Sequence, residues 1–123
     1  MRLPNPERAI VDIAKLADYC LSLEHEVGKH KARVFRSALG ITQTDARWLQ
    51  SKLFEAVHLD AIHTGHFGFG ELYVIDFELK CHNRAATARS GWIVRTGEGF
   101  PRLTTCYLLL KIRAISGFST QSL

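Results

Sequence analysis

Between Glu71 and Lys80, Tyr73, Ile75, Phe77 and Leu79 recur at every second position, while Val74, Asp76, Glu78 and Lys80 fall between them. A period of two lines one face of an extended chain with apolar side chains, so this stretch is predicted to be a half-buried strand. Its polar side admits solvent, which favours an antiparallel sheet with one covered face. The chain around it must then supply partner strands and a cover.

Both are legible. Downstream, His82-Asn83 marks a turn, residues 85–96 read as a second strand, Gly97-Glu98-Gly99 turns the chain again, and residues 103–112 form a last strand rich in Thr, Tyr and Leu. Upstream, residues 60–63 are predicted to pair through the glycines Gly65, Gly68 and Gly70. Turns this short make neighbours antiparallel. The first half of the chain has a different period. Asp12 is a good N-cap for a helix over 13–21, with Ile13, Leu16, Ala17, Cys20 and Leu21 on one side. A second helix is predicted over 28–39, with Ala32, Phe35, Ala38 and Leu39 as its stripe and Gly40 closing it. Thr42 or Thr44 caps a third, to about 57, with Ala46, Leu49, Leu53, Phe54 and Val57 inward. The expected architecture is α+β, with about three N-terminal helices on one face of a roughly four-stranded antiparallel sheet. With 123 residues the chain is expected to be a single domain over 1–112, with residues 113–123 as a flexible tail.

Several function classes are excluded or disfavoured. The longest apolar run, Cys106-Tyr-Leu-Leu-Leu110, is far short of the roughly 20 residues of a spanning helix. No apolar stretch follows the N-terminal charge, so a cytoplasmic location, no membrane partner and three reduced, core-filling cysteines (Cys20, Cys81, Cys106) are expected. There is no phosphate-binding P-loop, dinucleotide fingerprint or nucleophile elbow, and no carboxylate cluster for a divalent metal. His58, His63 and His66 lie close together, with Cys81-His82 further on, but without zinc-site spacing; no metal and no cofactor are expected.

The net charge of +4 is modest, but its distribution is not even. Residues 28–44 carry Lys29, Lys31, Arg33 and Arg36 without an acid, and residues 79–97 carry Lys80, Arg84, Arg89 and Arg95 without one. Lys29, Arg33 and Arg36 share a helix side suited to phosphates. Lys31 lies four residues before Phe35, along the apolar stripe, so it either snorkels or brings its ammonium to a cleft at the helix–sheet edge. His30, as a histidine, is a candidate acid or base, or simply a surface residue. Arg89, Ser90, Trp92 and Arg95 form either a stacking and phosphate-binding surface or a sheet edge around a core tryptophan. Arg102, Thr104 and Thr105 place a guanidinium and two hydroxyls together, for an anion or for strand propensity alone.

The segments Leu3-Pro-Asn-Pro-Glu-Arg-Ala-Ile-Val-Asp12, Lys31-Ala32, Ala38-Leu39-Gly40, Ser90-Gly-Trp-Ile-Val94 and Pro101-Arg-Leu-Thr104 together resemble a small uncharacterised bacterial domain family. That family is common in cyanobacteria and also occurs at the C-termini of phage head-morphogenesis proteins. Its layout is similar to the barnase–EndoU–colicin–RelE group of metal-independent ribonucleases and toxins. The resemblance implies an RNA substrate, and a cognate antitoxin or other protein as partner. It makes Lys31, Trp92, Arg102 and Thr104 site candidates. Joined with the reading of the residues above, the expected catalytic set is His30, Lys31, Arg102 and Thr104, with Arg33, Arg89, Ser90, Trp92 and Arg95 as substrate contacts. The alternative is a non-catalytic module that binds a protein or nucleic acid.

Overall fold

The computed structural model describes residues 1–109. After a 3-10 turn at Pro6–Arg8, a single α-helical turn, α1 (Ile13–Lys15), runs straight into a π-helical turn at Leu16–Cys20. Two regular helices follow: α2 (Lys29–Leu39) and α3 (Ala46–Ala56), the latter entered through a 3-10 turn at Gln43–Asp45. The second half is an antiparallel meander of β1 (Ile62–Phe67), β2 (Gly70–Cys81), β3 (Arg84–Arg95) and β4 (Pro101–Leu108), in spatial order β1-β2-β3-β4. The α+β arrangement is therefore present, with its helices in the N-terminal half. The expected tail over 113–123 and the end of the last strand beyond 109 lie outside the described residues. Among the described residues no helix is long and apolar enough to cross a membrane.

The alternation of β2 decides which face is covered. Ile75, Phe77 and Leu79 are buried, whereas Asp76, Glu78 and Lys80 are exposed. Register carries the same face across the sheet: Ile75 pairs with Ser90, Phe77 with Ala88, and on β4 Cys106 pairs with Ser90 and Leu108 with Ala88. Phe35 and Leu39 of α2 and Leu49 and Leu53 of α3 close over it without exposed surface. Each large side chain removed from water contributes about 1.5–3 kcal/mol. The two-residue turn at His82-Asn83 has both residues at positive φ (53° and 61°), the geometry a tight antiparallel hairpin requires.

Three expectations are corrected. The first helix is not regular, because Leu21 N–H reaches back five residues to the Leu16 carbonyl (2.9 Å). β1 begins and ends later than predicted: Gly68-Phe69 forms the turn, and Gly65 lies inside the strand beside a bulge between His63 and Gly65. Phe54 is 41% exposed; Leu49, Leu53 and Ala56 hold the inward stripe, one turn apart, and Phe54 stands about 100° round the helix from Leu53.

The free edge of β4 is partly covered. Ile10 N–H bonds to the Pro101 carbonyl (3.0 Å) and Leu103 N–H to the Ile10 carbonyl (2.9 Å), so the N-terminal segment runs parallel beside the start of β4. The π-helical turn and α2 also contact β4.

Candidate functional site

The π-helical turn and the start of α2 are pressed together, and glycine makes this possible. A Cβ at Gly28 would lie 2.0 Å from the Tyr19 carbonyl oxygen. No other residue fits there without moving one segment. One helical turn later, Lys31 projects to the same tyrosine. Its ammonium donates to the Tyr19 hydroxyl (2.9 Å) and lies 5.0 Å from the Tyr19 ring centroid and 5.7 Å from that of Tyr107 on β4. Lys31 is half-buried, and among the described residues no carboxylate pairs with it. At this half-buried position the ammonium is hydrogen-bonded to one phenol hydroxyl and lies beside two aromatic rings.

Tyr19 also walls an open cleft shared with Asp12, Lys15, Asp18, His25 and Thr104. His25 packs edge-on against the Tyr19 ring at 4.8 Å. Its Nδ1 accepts from Val27 N–H (3.0 Å) and Gly28 N–H (2.9 Å). Neutral His25 therefore carries its proton on Nε2, as a donor. Thr104 enters the cleft because the β3–β4 register slips between Gly91 and Trp92, leaving Thr104 as the extra residue. Gly91 faces this bulge; a Cβ there would meet Thr104 Oγ1 at 2.8 Å and Thr105 Cγ2 at 3.1 Å. Beneath, Thr105 Oγ1 is buried without a hydrogen-bond partner among the described residues. The thiols nearby, Cys20 and Cys106, are buried. Burial raises Cys20 above its ordinary value, against smaller lowering by the Cys106 backbone and Lys31, and burial raises Cys106 well above its own. Cys81, expected in the core, is half-buried beside His82, with Sγ 3.2 Å from Nδ1.

The remaining predicted residues do not join this cleft. Arg102 is held by both oxygens of Glu98 (2.8 Å each) and stacks over Phe100 at 5.5 Å. Glu98 is held below the usual carboxylate range by that guanidinium. Arg89 makes the same forked pair with Asp76 (2.8 and 2.9 Å), lowering the Asp76 carboxyl. Arg33 and His30 are exposed on α2, and so is Arg95 at the end of β3. Trp92 and Ser90 have no exposed surface; the indole N–H donates to Ser90 Oγ (2.8 Å), which donates to the Ile75 carbonyl (2.9 Å). The expectation that Trp92 and Ser90 contact substrate is thus corrected: an indole sealed in the core cannot stack a base. Tyr19 is the link between the two other candidates: its hydroxyl accepts from Lys31, and it lines the cleft that also holds Thr104, a cleft that Arg102 and His30 do not line.

His63 and His66 do not form a site with His58. The bulge in β1 turns both rings to one side, where His63 Nε2 (2.7 Å) and His66 Nδ1 bond the carboxylate of Glu71 and hold it below its ordinary range. Among the described residues no group of three or more His, Cys, Asp and Glu side chains is arranged to hold a metal ion.

Sequence reasoning missed Tyr19, His25 and Tyr107. The one available signal was Gly28, a glycine opening a helix at an ordinary φ (−67°), which marks close approach rather than a turn.

Residues 2–110 match a protein family described as a domain of unknown function (DUF6883). No curated protein and no solved structure matches the chain.

Proposed function

We propose that this chain, which belongs to the family of domains of unknown function that its residues 2–110 match, is a metal-independent, ribonuclease-like domain whose phosphate site is the Lys31–Tyr19 seam. The observation that carries the reading is the Lys31 ammonium. It is half-buried, bound to a phenol and flanked by two aromatic rings, with no carboxylate opposite among the described residues. A partly desolvated cation without a counter-charge is costly to keep. A phosphodiester supplies that charge. Thr104 and the Nε2–H of His25 add neutral donors for its non-bridging oxygens.

The chemistry follows from the donors. Lys31 donates to the Tyr19 oxygen, so the phenol's own proton remains free for a leaving group. Asp18, on the same cleft, accepts the proton of the RNA 2′-hydroxyl as that oxygen attacks the adjacent phosphorus. The P–O5′ bond breaks, the 5′-oxygen takes the Tyr19 proton, and the products are a 2′,3′-cyclic phosphate and a 5′-hydroxyl. Lys31 offsets the negative charge that builds on phosphorus.

A second reading has its own support. Arg102 on β4 and Arg89 on β3 are closed by Glu98 and Asp76, as in a binding module that needs no free cation there. One experiment separates the two: purified protein on RNA in EDTA, beside Lys31→Ala and Tyr19→Phe, with RNA binding measured in parallel. The ribonuclease reading expects cleavage to cyclic phosphate ends and a loss of about a hundredfold in rate in both variants. Intact RNA that is bound in a Lys31-dependent manner would assign the module instead. Equal RNA integrity and equal binding for all three proteins would remove both.

A further inference from the structure

The sheet face opposite the helices carries a second aromatic and basic corner. At the end of the β1–β2 hairpin, Phe67 pairs with Gly70, and Gly70 pairs with Arg95 across β2 and β3. Paired residues point to the same side, so Phe67 and Arg95 flank a position that has no side chain. The Thr96 N–H bonds the Phe69 carbonyl (2.9 Å), tying this tip to the β3–β4 turn. Phe67 and Phe69 pack edge to face, with ring centroids 5.4 Å apart, and each is 55% exposed. Arg95 is exposed and makes no ion pair among the described residues; it favours the charge of Glu98 only through space, and that carboxylate is bonded by Arg102.

We propose that this corner is a second contact for single-stranded RNA, with a base stacked on the Phe67–Phe69 platform and a phosphate on Arg95. The inference rests on the RNA reading of the seam. Three points favour this occupant. Two exposed rings offer π-faces, which take any base. The adjacent cation is free, in keeping with the chain's net charge of +4. The corner also shares its sheet face with Tyr107, whose ring adjoins Lys31: Tyr107 pairs with Arg89, and Arg89 and Arg95 lie on one side of β3. The six residue steps from Arg89 to Arg95 span roughly 20 Å, the reach of a few nucleotides along one face. The aromatic partner expected of Arg95 is therefore Phe67–Phe69, since Trp92 is sealed in the core.

The test is the affinity of a fluorescently labelled oligouridine of about ten nucleotides as a function of KCl, for wild type, Phe67→Ala/Phe69→Ala, Arg95→Ala and Lys31→Ala, with circular dichroism confirming each fold. The expected result is a roughly tenfold loss of affinity in the double variant with its salt slope unchanged, since stacking displaces no counterion. Arg95→Ala is expected to reduce the slope by about 0.7. If the double variant and Arg95→Ala bind as wild type does while Lys31→Ala weakens, the corner is not a contact and the seam reading stands. If wild type binds no oligouridine, both fall. A concentration-dependent dimer abolished by the double variant, with RNA affinity unchanged, would give the corner to a second copy of the chain and overturn the inference.

Discussion

Lys31 and Arg102 both adjoin β4, and the sequence places each in a short basic motif. Their surroundings differ in one respect that decides their chemistry. Arg102 has a carboxylate four residues away, held by two 2.8 Å bonds, and its charge is spent within the fold. Lys31 has a phenol hydroxyl and two ring faces, which orient an ammonium without neutralising it. Arg89 repeats the first pattern through Asp76. Counting cations along the chain therefore overstates what is available to an anion; what matters is which cation lacks an acid within reach.

The contrast can be tested from the core outward. Trp92 braces the face beneath both regions, and Trp92→Ala should cost about 3–5 kcal/mol in urea unfolding. A loss below about 1 kcal/mol would mean that the indole is not the keystone its burial indicates. Gly28→Ala should cost roughly 1–3 kcal/mol, because its Cβ overlaps the Tyr19 backbone and one segment must move. It should also weaken RNA binding as Lys31→Ala does, since it separates Lys31 from Tyr19. Unchanged stability would show that the two segments are less tightly pressed than described. Arg102→Ala should leave RNA binding within about twofold of wild type, whereas Lys31→Ala should lower it about tenfold, the scale of one phosphate contact. If the two variants lose equally, the distinction between a closed and an open cation fails.

The smallest effect concerns pH. Arg89 holds the Asp76 carboxyl below its ordinary value, so the pair's stabilisation is fully present above the unfolded value near pH 4 and is lost as pH falls through the lower native one. The difference in urea midpoint between wild type and Asp76→Asn should accordingly be constant at pH 5–7 and close towards zero as pH falls through the lowered native value. The Asp76 carboxylate is substantially exposed, so solvent screening keeps that difference small. A difference that grew on acidification would reverse the sign of the argument.

The sequence by itself determined the architecture. The period of two at Tyr73–Leu79, the helical stripes of α2 and α3 and the turn at His82-Asn83 are local signals, and each element follows the hydrophobic pattern that buries it. It also brought Lys31 and Thr104 into view. What it could not determine was which basic residue keeps a free charge, and three features of the tertiary structure decided that. The π-helical turn shifted Tyr19 away from the regular helical phase predicted for residues 13–21. The bulge opposite Gly91 placed Thr104 in the cleft. The pairing register set Asp76 against Arg89, and the β3–β4 turn set Glu98 against Arg102. Each depends on contacts between segments distant in sequence or on a local break in periodicity, and neither leaves a periodic trace in the chain. Trp92 shows the same limit from the other side: its neighbours Arg89 and Arg95 suggested a surface, and only the packing of α2 over β3 showed that the indole lies inside.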